Sequence, residues 1–137
     1  MSSISRRWIA IGALLGAIGA ALGAFGAHGL SGLLEKNFGY AGDDLHHRID
    51  TFETAIRYQM LHAIALVLVG FALQLRDCVC WRFSAWAFLA GILIFCGLLK
   101  VLTFASPEWK WLGAIVPFGG VTLIVGWVAL AVGSIRK

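Results

Sequence analysis

The chain is poor in charge. Only 13% of its 137 residues are Asp, Glu, Lys or Arg, about half the share usual in a soluble domain. Seven are acidic, and none falls in the long apolar runs, which argues against a proton pump built on an intramembrane carboxylate. Two prolines and no Ser/Gly-rich tract argue against linkers and disorder, so residues 1–137 read as one domain. Three cysteines, Cys78, Cys80 and Cys96, offer one C-x-C and no second pair for a metal or redox centre. His46-His47 point about 100° apart on a helix, and no Cys or acid completes a zinc set with them. No nucleophile elbow, phosphate loop or dinucleotide fingerprint occurs. These absences lead us to expect no enzyme, no metal and no cofactor.

What the chain has instead is apolar surface. It is 60% hydrophobic, with a mean hydropathy of +0.86, more than a soluble chain of this length can hide. The charge-free runs Trp8–Leu34, Tyr58–Leu75, Phe83–Leu99 and Trp111–Ile135 all qualify as crossings of a bilayer, which need about 20 residues with a range of roughly 17–25, the third only just. In lipid the backbone must satisfy itself, so helices are expected. The reading is an all-α membrane protein with transmembrane helices at about 8–30, 58–76, 83–104 and 111–134, and an amphipathic outer helix at about 43–57. The first run is too long for a signal-peptide core. The net charge of +4 comes from cations at the ends of apolar runs, which excludes a nucleic-acid stripe and fits membrane flanks. One side collects Arg6, Arg7, Arg76, Arg82, Arg136 and Lys137. The other carries Lys36, Arg48, Arg57, Lys100 and Lys110, of which Lys36 and Arg48 sit in a longer loop with five acids, Glu35, Asp43, Asp44, Asp50 and Glu53. The bias places both termini in the cytoplasm of an inner (plasma) membrane protein, where Cys78 and Cys80 stay reduced.

The most regular pattern is a glycine ladder. Gly12, Gly16, Gly19, Gly23 and Gly26 fall within about 40° of one direction on a helix. Ala13, Ala17, Ala20, Ala24 and Ala27 fill the adjoining sector, and Ile11, Leu14, Ile18, Leu22 and Phe25 the rest. A smooth face lets another helix approach backbone to backbone, so the bulky side is expected to face lipid. The fourth helix has a sparser stripe, Gly119, Gly126 and Gly133, preceded by Pro117, where a kink is expected. The two small faces suggest that helices one and four pack together or across a subunit interface. The expected partners are therefore membrane lipids, a second copy of the chain or another membrane protein, and no nucleic acid.

Polar residues cluster near one predicted membrane boundary. Glu53 and Arg57 are i,i+4 partners. Tyr58 and His62 share a stripe with Gln59 beside them, His28 lies near the outer end of the first helix, and Lys100 near that of the third. An ionisable side chain at membrane depth invites a functional reading. His28, Glu53, Arg57, Tyr58, Gln59, His62 and Lys100 thus form a candidate polar site, with Glu53 or Asp50 a conceivable partner for Lys100. A small transporter, channel or lipid-binding protein is the alternative reading that would use them.

Several segments together resemble one family: residues 23–30 (GAFGAHGL), 52–63 (FETAIRYQMLHA), 90–93 (AGIL) and 111–120 (WLGAIVPFGG). They look like the small bacterial membrane family called domain of unknown function 423, whose eukaryotic relative is transmembrane protein 256. The resemblance spans nearly the whole chain, with His28, Tyr58, Gln59, His62 and Pro117 at motif positions. The Cys78–Cys80 turn and the stretch 37–48 are local departures. The resemblance implies a multi-pass inner-membrane protein of unassigned role and carries over no catalytic residues.

Overall fold

The computed structural model describes residues 2–135; Arg136 and Lys137, counted above for orientation, lie outside them. Helix α1 (Ser3–His28) opens on Ser2, whose hydroxyl accepts the Ser5 amide, and ends at Gly29. A short helix α2 (Leu30–Phe38) follows directly. It stops at Gly39, whose φ of 69° suits a residue without a Cβ. There the Gly39 and Tyr40 amides return to the carbonyls of Glu35 and Leu34. Helix α3 (Gly42–Leu75) runs for 34 residues, with Asp43 and Asp44 in its first turn, where the helix dipole favours acids. The third span is α4 (Val79–Gly91), a π-wound turn (Ile92–Cys96) and α5 (Gly97–Phe104). A 3₁₀ segment (Pro107–Ala114) leads into α6 (Val116–Ile135). Four of the described helical stretches are long and apolar enough to cross a membrane: Ser3–His28, Gly42–Leu75, Val79–Phe104 and Pro107–Ile135.

The amphipathic segment 43–57, expected to lie on the outer surface and to run into the second span near Arg57, is helical and does run into it. It is the first half of α3, which continues through Arg57 unbroken. Several other expectations need correction. At about 1.5 Å per residue, α3 is roughly 50 Å long and overreaches the hydrocarbon core of about 30 Å. Its apolar side in that half does not face lipid. Leu45, Phe52 and Ile56 are buried with Leu30 and Leu34 of α2, and Tyr40 and Phe104 pack on them. The sequence reading missed α2, which provides this cover.

Pro117 stands in the first turn of α6, where chain winding changes from 3₁₀ to α, rather than inside a continuous span. An N-terminal turn has no use for the amide that proline lacks, so α6 loses no hydrogen bond to it. A further helix irregularity lies in the third span, at the π turn Ile92–Cys96.

Neither small-residue stripe packs on the other. α1 lies along α3, and α6 lies along α4 and the π turn. A Cβ on Gly12 would come within 2.7 Å of the Ala63 carbonyl oxygen, and one on Gly26 within 3.1 Å of the Phe52 ring. Gly19 faces Met60 and Gln59, and Gly23 faces Ile56. On α6, a Cβ on Gly119 would come within 2.5 Å of the Phe95 amide nitrogen. Gly126 faces Phe88, and Gly133 faces Trp81. The bundle is thus two tight helix pairs joined through a core of Trp8, Leu66, Val69, Leu73, Phe88, Ile92 and Leu123.

Candidate functional site

Close approach exposes backbone carbonyls to side chains of the neighbouring helix, and both helix pairs use this. Ser5 and Ser84 are fully buried. Ser5 Oγ donates to the Gly70 carbonyl, and Ser84 Oγ to the Gly126 carbonyl, each at 2.7 Å. In each case the accepting residue is a glycine, so no side chain shields the oxygen. Neither serine stood out in the sequence, because an isolated Ser in an apolar run looks like a weakly polar filler. The Ser–Gly pairing is evident only once the helix faces are known.

Gln59 does the same at greater reach. It is 1% exposed, and its Nε2 donates to the Leu15 carbonyl of α1 at 2.8 Å. Its Oε1 accepts from Lys100 Nζ. One amide therefore ties α1, α3 and α5 together, and Lys100 spends its charge on Gln59 rather than on Glu53 or Asp50. The contact depends on Gly19, which follows Leu15 by one turn and leaves the carbonyl open; a Cβ there would sit 3.3 Å from Gln59 Nε2.

His62 is buried against the fourth span. Its Nδ1 lies 2.7 Å from the Tyr58 carbonyl, and Trp127 Nε1 lies 3.0 Å from its Nε2. An indole N–H can only donate, so Nε2 accepts, Nδ1 carries the hydrogen, and the imidazole is the neutral Nδ1–H tautomer. Both ring nitrogens are occupied. Tyr58 stacks on the His62 ring at 6.0 Å and meets Phe95 of the π turn at 4.8 Å. Beside them a groove of about 380 Å³ is lined by Leu61, Gly120, Leu123, Ile124 and Trp127.

The remaining predicted site residues are elsewhere. Glu53 and Arg57 are exposed. They border a separate groove of about 290 Å³ with Gly23, Gly26, Ala27, Phe52 and Ile56, and among the described residues they form no ion pair with each other. His28 is exposed at the end of α1. Gln59 with Lys100, His62 with Tyr58, and Glu53 with Arg57 are thus three separate groups, and the grooves at His62 and Glu53 share no lining residue. Among the described residues, no three His, Cys, Asp or Glu side chains are grouped to hold a metal ion.

Arg48 is the strongest polar contact that the sequence did not mark. It is 7% exposed. Its Nη1 donates to the carbonyls of Leu102, Thr103 and Ala105 at 3.3, 2.9 and 3.0 Å. Nε pairs with Asp44 at 3.1 Å, and the guanidinium lies 3.6 Å over the Tyr40 ring. These carbonyls belong to the end of α5, where no further helix turn follows to use them. Arg48 is a clamp that fastens the projecting half of α3 to the end of the third span. In the sequence it looked like one more loop cation.

The face of α1 that α3 does not cover is the last element of the site. Nothing lies within 4 Å of a Cβ built on Gly16, and Ala13, Ala17, Ala20, Ala24 and Ala27 are exposed. Only 11% of the most apolar stretch of α1 is buried, against 44% for α3. Of the bulky residues expected to face lipid, Leu14, Ile18 and Phe25 are exposed. Ile11 and Leu22, in contrast, pack on the two apolar clusters.

Comparison with known proteins places these features in a family. The family described as Protein of unknown function (DUF423) matches residues 22–120. A UPF0382 membrane protein of Haemophilus influenzae is 37% identical over 135 residues, covering 98% of each chain. The UPF0382 membrane protein YwdK of Bacillus subtilis is 32% identical over 130 residues, covering 94% of this chain and 96% of its own. A UPF0382 membrane protein of Staphylococcus aureus is 33% identical over 129 residues, covering 94% and 95%. No solved structure matches the chain.

Proposed function

The chain belongs to this family of multi-pass membrane proteins without an assigned biochemical role, and from that premise we propose that it is a non-enzymatic protein that works by helix packing with a second copy of itself. The observation that carries the reading is the open side of α1. The glycines Gly12, Gly19, Gly23 and Gly26 are turned towards α3. The adjoining stripe of Ala13, Gly16, Ala17, Ala20 and Ala24 is left without a neighbour in the chain. Its small-x-x-x-small spacing, at 13 and 17 and at 16, 20 and 24, suits close helix crossing in lipid. A single straight stripe is also self-complementary, as a two-fold dimer requires.

Two measurements test the reading. In mild detergent the protein should run at the mass of a dimer, and Ala17→Leu with Ala20→Leu should convert it to a monomer that keeps its helix content. A monomeric wild type, or a dimer indifferent to both substitutions, contradicts the proposal.

The same reading places the protein in the inner (plasma) membrane with both ends in the cytoplasm. Support comes from Arg6, Arg7, Arg76 and Arg82, which flank the spans on one side. Cys78 lies on that side, just before α4. A hydrogen bond from the Trp81 amide, aided by Arg76 nearby, lowers its thiol pKa, so its reactive thiolate is present at lower pH than for an ordinary cysteine. A membrane-impermeant maleimide should leave intact cells unlabelled at Cys78 and label it once the membrane is opened. Labelling in intact cells would invert the orientation.

A further inference from the structure

At the end of the bundle that carries the membrane-flanking arginines, α1 and α4 enclose a groove of about 350 Å³. It is lined by Ile4, Arg7, Trp8, Ile11, Arg82 and Trp86. It lies on the bulky side of α1, more than about 70° around the helix from the nearest residue of the alanine stripe.

The groove has two parts of different chemistry. Its wall is aromatic and aliphatic: Trp8, only 5% exposed, holds Trp86 edge to face at 5.0 Å, while Trp86 itself is 63% exposed. Such a wall at a membrane boundary suits an acyl chain and its glycerol end. Two arginines from different spans, Arg7 and Arg82, also line it, and no carboxylate does. Among the described residues Arg7 forms no ion pair. Arg82 uses Nε on Asp77 at 3.3 Å, and both of those side chains are well exposed, so the pair competes weakly with a second anion.

We propose that this groove is a binding site for an anionic phospholipid. Arg7 and Arg82 hold the headgroup phosphate from two spans, with planar forks that match its oxygens, and an acyl chain lies along Ile4, Ile11 and Trp86. The bound lipid bridges the α1–α3 pair to the α4–α6 pair, which meet here through Trp8 and Trp86. Basic pockets between spans recognise anionic headgroups by this combination of charge and shape. The site is distinct from the dimer face, and either can fail without the other.

The test is lipid retention by the full chain in a neutral detergent, read by native mass spectrometry. Phosphatidylglycerol and phosphatidylcholine with identical acyl chains, and inorganic phosphate, are offered separately. Wild type should retain phosphatidylglycerol in preference to phosphatidylcholine and should retain no inorganic phosphate. At about 1 kcal/mol per cation, Arg7→Gln and Arg82→Gln should each weaken phosphatidylglycerol binding about 5-fold, and together about 30-fold. Arg7→Lys should keep most of the binding, and Arg6→Gln, outside the groove, should leave it unchanged. Thermal melting without added lipid checks that the variants fold. Equal retention of the two lipids, unchanged binding in a folded double variant, or equal capture of inorganic phosphate would each overturn the proposal.

Discussion

At the scale of the residue, the glycines of α1 and α6 do different work at positions that look alike. A Cβ on Gly12 would lie 2.7 Å from the Ala63 oxygen and 2.9 Å from the Val67 amide nitrogen. A Cβ on Gly119 would lie 2.5 and 2.9 Å from the amide nitrogen and Cα of Phe95. Backbone cannot swing aside, so Gly12→Ala and Gly119→Ala should each destabilise the fold by about 1–3 kcal/mol. Gly16→Ala meets no neighbour within the chain and should cost the fold of the single chain nothing; helix propensity would even favour it by up to about 1 kcal/mol. Unfolding of the three variants in mixed micelles checks the ordering. An equal loss for Gly16→Ala and Gly12→Ala would contradict the packing described. The pattern of five glycines and five alanines was legible in the sequence. Which of the two sectors meets the partner helix in the chain was not, because periodicity fixes angles around one helix and says nothing of its neighbours.

At the scale of the element, α3 is the organising helix. Its membrane half carries Gln59 and His62, each joined by a polar contact to another span. Its projecting half is held by apolar cover from α2 and by Arg48. Arg48 gathers three carbonyls, one carboxylate and one aromatic face. A lysine has the charge but neither the planar fork nor the stacking surface. Arg48→Lys should therefore lower stability by about 1.5–3 kcal/mol, the range for hydrogen bonds to a charged group. Amide exchange should rise at residues 99–107 and stay unchanged through α6. Uniform protection across both segments would show that Arg48 is not the clamp. The spans were readable from composition because a bilayer demands apolar length. That the amphipathic segment runs into the second span near Arg57 was readable as well; the cover that α2 lays over its apolar side was not, since nothing in the periodicity of α3 shows which element packs on it. The π turn of the third span also left no mark in the sequence. Its Phe95 lies against Gly119, a contact between residues far apart in the chain that periodicity cannot show.

At the scale of the whole molecule, two tight helix pairs leave most of α1 uncovered. The exposed bulk of the other spans, such as Leu68, Phe71, Ile124 and Val128, suits lipid. The exposed alanine stripe is smooth, and smoothness benefits a protein in lipid only where a second helix lies against it. The most direct test of this reading is cross-linking in native membranes. In a chain with Cys78, Cys80 and Cys96 replaced by serine, Ala20→Cys should yield a cross-linked dimer with a short bismaleimide, while Leu68→Cys and Ile124→Cys should not. Absence of a dimer at Ala20→Cys, or equal dimer at all three positions, would contradict assembly through the open face of α1.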